Sequence, residues 1–140
     1  MKLLAASALL ALMTVSLRAE DDPKKALESL QGEWKVVEFI RNGNADKKDA
    51  TIAFDGSKMS IAAEKKTESM TISLDPKANP PAMDIKVSEG GKDLTIKAIY
   101  KLEKDKLSIC FALDGKERPK EFKSEKDSKQ GLFVLERVKK

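Results

Sequence analysis

The sequence predicts an all-β fold, an eight-stranded antiparallel up-and-down barrel with one short N-terminal helix. Three observations carry this reading. Apolar residues alternate with polar ones in a series of short runs. Clusters of Gly, Asn, Asp and Pro separate those runs at hairpin spacing. No run alternates with the helical segments that a parallel sheet would need. Eight such strands with one apolar row each can close on themselves and so remove their edges. A two-sheet sandwich of the same strands is the alternative, because strand order is invisible in periodicity.

Residues 1–19 are expected to be an export signal. Met1-Lys2 gives a short positive start, Leu3 to Leu17 is uncharged and apolar, and Ala19 is a small residue suited to cleavage. The run is too short to span a bilayer, so no stable membrane insertion is expected after cleavage. Residues 20–140 then form a single domain. Asp22-Pro23 reads as a helix N-cap followed by proline at the first helical position, opening a helix over Pro23 to Leu30 that Gly32 ends.

The first strand follows as Trp34, Val36 and Ile40, alternating with Lys35 and Arg41. Glu38 interrupts that apolar row, while Val37 and Phe39 make the opposite face apolar as well. Asn42-Gly43-Asn44 turns the chain into a polar loop reaching Asp49. Thr51–Phe54 and Met59–Ala63 flank the hairpin signal Asp55-Gly56-Ser57. Glu68–Leu74 follows, and the Pro80-Pro81 loop ends its connection, since such a pair cannot sit in a central strand. Met83, Ile85 and Val87 form the next row. Gly90-Gly91 turns into Leu94, Ile96, Ala98 and Tyr100. Leu107, Ile109 and Phe111 come next, then a charged loop over residues 113–130, then Leu132–Arg137.

Composition narrows the chemistry. Of 140 residues, 41% are hydrophobic and 36% charged, as in an ordinary globular domain. There is no histidine and one cysteine, Cys110. That excludes His-based acid–base and nucleophilic machinery, His- or Cys-cluster metal sites and an intrachain disulfide. Removing residues 1–19 takes Lys2 and Arg18 from the 27 basic residues and nothing from the 23 acidic ones, leaving +2. The charges are interspersed, with no basic stretch carrying aromatics, so nucleic-acid binding is disfavoured. No catalytic residue, metal or cofactor is expected, and the chain is expected to be a monomer that is not an enzyme.

The segment Leu30-Gln31-Gly32-Glu33-Trp34-Lys35-Val36 resembles the Gly-X-Trp opening strand of lipocalin-like barrels. In those barrels the tryptophan packs beneath an arginine just after the last strand. The resemblance gives Gly32, Trp34 and Arg137 these signature roles. More of the chain is similar to a family of small exported lipocalin-like domains of unknown function, expanded in planctomycete bacteria. The residues that carry this likeness are Leu30–Val37, Ala98–Leu102, Leu107–Phe111 and Gly115–Phe122. The resemblance implies a barrel and a periplasmic or secreted location. It carries over no ligand identity, because the further loop motifs and disulfides of many lipocalins are missing here.

Read from the residues, the inward rows hold almost no polar group, so they make either a filled core or a small apolar cavity. The candidate ligand-binding residues are Glu38, Tyr100 and Arg118. Glu38 is either a lumenal carboxylate or a solvated rim residue. Tyr100 is a core residue whose hydroxyl could meet a ligand. Arg118, in the Lys116–Phe122 stretch, belongs either to a lid over the barrel mouth or to a structural ion pair. Cys110 reads as a half-buried filler. Val37, Phe39, Phe133 and Leu135 are expected to share an outer apolar patch across the first and last strands. The helix, through Leu27 and Leu30, or a partner chain would cover that patch. The expected function is binding of a small apolar or amphipathic molecule. A structural or protein-interaction role with a solid core is the alternative.

Overall fold

A computed structural model of the chain describes residues 22–46, 49–113 and 117–138. The expected export signal, and Gly115 and Lys116 of the charged loop, lie outside the described residues. The described residues are mostly β, 62% of them in strands, with one short helix and a closed eight-stranded antiparallel barrel.

The helix α1 (Pro23–Leu30) starts where its cap chemistry places it: the Asp22 carboxylate accepts the Lys24 N–H at 3.0 Å, and Pro23 follows. Ala26 and Leu30 are buried on its inner side. The strands are β1 (Gly32–Arg41), β2 (Asn44–Asp46), β3 (Ala50–Asp55), β4 (Lys58–Ala63) and β5 (Lys66–Asp75). They continue with β6 (Ala82–Glu89), β7 (Lys92–Glu103), β8 (Lys106–Ala112) and β9 (Gln130–Arg137). Each is antiparallel to the next in the order β1-β3-β4-β5-β6-β7-β8-β9, and β9 pairs with β1 to close the barrel.

The strand β2 was not expected. It forms because Asn42 (φ 50°) and Gly43 (φ 82°) make a left-handed turn, folding the chain back onto Phe39–Arg41. A side chain at Gly43 would also meet the Lys126 backbone nitrogen at 2.7 Å, so glycine lets this turn dock against the loop before β9.

A second correction concerns the phase of β1. Trp34 lies opposite Arg137 and Val36 opposite Leu135, but Glu38 lies opposite Val134, leaving Val37 as a β-bulge. The extra residue flips the row that follows. Phe39 therefore points into the core with 6% exposure, while Glu38 is exposed outside. Phe39, Phe133 and Leu135, expected in an outer patch, line the interior instead. Of that patch only Val37 is exposed.

The barrel has two unlike ends. At one, α1 and the β3–β4 turn close the interior. Leu30, Trp34, Ile52, Met83, Leu107, Ile109 and Leu135 are each at most 1% exposed there. The Gln31 side chain ties helix to turn, its amide donating to Gly56 C=O and its oxygen accepting Gly56 N–H. At the other end the inner rows are looser: Ile61, Val87, Ile96, Phe111 and Phe133 are only partly buried. Leu94, expected in the core, is 53% exposed because its row reaches the rim there.

Candidate functional site

Side-chain alternation, rephased by the bulge, gives the open half of the lumen an apolar lining. Phe39 on β1, Phe133 on β9 and Phe111 on β8 form one aromatic cluster. Phe39 and Phe133 are cross-strand partners with centroids 4.6 Å apart, and Phe111 lies 5.4 Å from Phe133. The planes are nearly parallel, within 23°. Phe111 lies directly over Gly131, its cross-strand partner, where a Cβ would come within 2.4 Å of the ring. Glycine therefore leaves the space the ring fills. The Arg41 guanidinium sits 5.9 Å from the Phe39 ring at the rim. Across the barrel, Val87 and Leu94 face each other on β6 and β7, beside Ile96.

The sequence-derived candidates do not converge on this lumen. Tyr100 is inward but sits in the closed half, 6% exposed. Burial, helped by the Asp75 carboxylate, pushes its phenol up to about 12. Glu38 is outside, by virtue of the bulge. Arg118 is on the outer wall: it donates to Met83 and Ala98 C=O at 3.2 and 2.8 Å, and pairs with Asp84 at 2.6 Å. Its guanidinium is thus engaged in holding residues 117–130 against the barrel rather than over its mouth.

That segment explains a second set of buried residues. Ile99, Cys110 and Ala112 alternate with the inward rows of β7 and β8, yet are at most 4% exposed. The segment covers them from outside. Cys110 Sγ donates to Lys123 C=O at 3.4 Å, and Pro119 is buried. Burial raises the Cys110 thiol above its usual range, against smaller lowering by hydrogen bonds with Lys123 and Gln130.

Between this segment and the wall lies an open cleft of about 750 Å³, bounded by Arg118, Lys120, Lys123, Lys129, Glu117 and Glu121 among others. Its charges alternate in sign. Lys123 is flanked by Glu121 at 3.2 Å and Glu125 at 4.0 Å, which raise its ammonium pKa, Glu121 foremost. A mixed, solvated surface of this kind selects no ligand charge.

At the closed end, Arg137 stacks over Trp34 at 4.2 Å from the ring centroid. Its two terminal nitrogens donate to Gln31 C=O and Ser29 C=O, each at 2.9 Å, and its Nε lies 3.5 Å from Asp105. Gly32, at φ 112°, turns the chain from helix to strand beneath that guanidinium. With Trp34 fully buried, these three residues close this end of the barrel.

No protein-family model, curated protein or solved structure matches this chain. No helix among the described residues is long and apolar enough to cross a membrane. The site's geometry therefore carries the functional argument.

Proposed function

We propose that this chain is an exported lipocalin-like binding protein, related to the planctomycete family its motifs resemble, and that it holds a small apolar or amphipathic molecule in the open half of its barrel. One observation carries this reading. Apolar inner rows that end in a 53% exposed Leu94 face the Phe39–Phe133–Phe111 cluster, which is the lining such a ligand requires. The uncharged Leu3–Leu17 run supports export. Among the described residues, Tyr100 lies in the closed half while Glu38 and Arg118 lie outside the barrel, so the candidate polar groups do not converge on the open half, which favours binding over catalysis. Burial at ~25 cal/mol per Å² of apolar area allows a compact amphiphile to reach micromolar affinity after association costs.

The test is to purify the protein from its native host, extract it and seek a copurifying small molecule by mass spectrometry. Thermal shifts across an apolar ligand panel run alongside. A ligand whose shift is lost in Phe133→Ala supports the reading. No extracted molecule and no shift across the panel would sink it. The solid closed half, with Trp34, Ile52 and Met83 at 0% exposure, favours the second reading in that case: a structural or protein-interaction domain with no ligand.

A further inference from the structure

The ladder between β5 and β6 is shorter than the strands that form it. It runs from Asp75–Ala82 at the closed end to Thr71–Lys86 and stops. Each strand then continues in its own hairpin: β5 stays paired with β4 as far as Lys66, and β6 with β7 as far as Glu89. Carried on in the same register, Met70 would face Val87 and Ser69 would face Ser88, but neither pair forms. The two hairpins diverge, opening a slit in the wall of the open half.

Backbone direction identifies the groups on its lips. Ile72 N–H donates to Ser57 C=O on the β4 side, so the alternate amides of Ser69, Thr71 and Ser73 point toward β6. Those of Thr71 and Ser73 meet the ladder, and that of Ser69 meets the slit. On the inward face the lips carry Met70 and Val87, with exposed Glu68 two residues before Met70 on that same face, and on the outer face Thr67, Ser69 and Ser88 are exposed. Leu94 stands beside Val87. In the closed strand order, β8, β9 and β1 lie across the barrel from β4, β5 and β6. The slit therefore opens toward the phenylalanine cluster.

We infer that this slit is a lateral entrance for a single-chain amphiphile, whose apolar end reaches Phe39, Phe133 and Phe111 while its polar head stays between the lips. The inference rests on the proposed binding function and assigns that ligand its shape and its route. An apolar chain can pass sideways between Met70 and Val87 without drawing its head group into the lumen, which would be costly.

The test uses lysophosphatidylcholine with a nitrobenzoxadiazole fluorophore at its chain end, followed by stopped-flow fluorescence. Ser69→Cys is labelled with a bulky maleimide to obstruct the slit, and Leu113→Cys is labelled likewise at the rim beside β8. Buried Cys110 is slow to compete for label. Obstruction at 69 should slow uptake about tenfold relative to unlabelled Ser69→Cys, while the label at 113 leaves the wild-type rate. Equal slowing by both labels, or by neither, overturns the lateral route. Hydrogen exchange reads the slit without any ligand: the amides of Ser69 and Ser88 should exchange much faster than those of Ser73 and Asp84. Equal protection removes the slit even if the probe binds. Failure of wild type to bind any amphiphile, with fast exchange at Ser69 and Ser88, overturns the binding function instead.

Discussion

Arg137 lies over the indole of Trp34, 4.2 Å from its centroid, and joins the last strand to the first at the sealed end of the barrel. The pair is held from both sides. Trp34 Nε1–H donates to Leu30 C=O at 2.8 Å, and Arg137 donates to Gln31 and Ser29 on the same helix-to-strand junction. Helix, first strand and last strand thus meet on two side chains. Trp34→Ala should cost ~3–5 kcal/mol, since it empties a fully buried site. Arg137→Ala should cost less, with a coupling of ~0.5–2 kcal/mol between the two in a double-mutant cycle by denaturant unfolding. Trp34 is the only tryptophan, so its fluorescence reports the loss of the guanidinium directly. Full additivity would remove the contact from the stability of the fold.

The bulge at Val37 makes the second prediction. Val36 and Glu38 already pair with consecutive residues of β9, Leu135 and Val134, so Val37 is the surplus residue. Deleting it leaves Trp34, Val36 and Phe39 facing inward in ordinary alternation. The deletion should therefore be tolerated, with a smaller loss of stability than Phe39→Ala, for which ~3–5 kcal/mol is expected. Thermal unfolding of the two variants checks the order. A deletion as damaging as Phe39→Ala would mean that the bulge itself positions the phenylalanine cluster.

These two sites also mark what the sequence could and could not reveal. Trp34, Arg137, the helix cap at Asp22-Pro23 and the glycine turns are legible because each rests on chemistry local to a few residues. The phase of β1 is not, since Val36-Val37 and Phe39-Ile40 are apolar on both faces and alternation cannot choose between them. The error carried Phe133 and Leu135 with it, because they pair with β1. The outer cover over β7 and β8 does leave a signal in the sequence. Leu107 to Ala112 is apolar on both faces apart from Ser108, a pattern that calls for burial on both sides. The segment that supplies the cover is charged along its length, and its anchor, Arg118 on Met83 and Ala98 C=O, is a long-range contact that spacing does not encode.

Tyr100 gives a pH dependence with a definite sign. It is the only tyrosine, and its folded phenol is held at about 12 against an ordinary 10.0. A folded value above the unfolded one means that its contribution is complete below pH 10.0. The contribution is then lost as pH rises toward 12, when unfolded chains ionise first. Phenolate absorbance should titrate near pH 12 in the folded protein. Tyr100→Phe should flatten the loss of stability over that interval. A midpoint near 10.0 in the native protein would place the hydroxyl in water.

Cys110 tests how residues 117–130 are held. Its thiol is 0% exposed and its pKa is raised, so both access and thiolate content disfavour reaction. The strongest tether of the covering segment is Arg118, with its 2.6 Å contact to Asp84 and its two backbone acceptors. The ion pair alone is partly exposed and contributes ~1 kcal/mol or less. Arg118→Ala should therefore leave the barrel folded, with Trp34 fluorescence unchanged, while Cys110 labelling by a maleimide becomes severalfold faster. Arg118→Lys should recover only part of the protection, because an ammonium cannot reproduce the forked contact with Asp84 and the two carbonyls. If labelling stayed slow in Arg118→Ala, the cover would be held by its apolar contacts, Pro119 foremost, and the arginine would be dispensable to it.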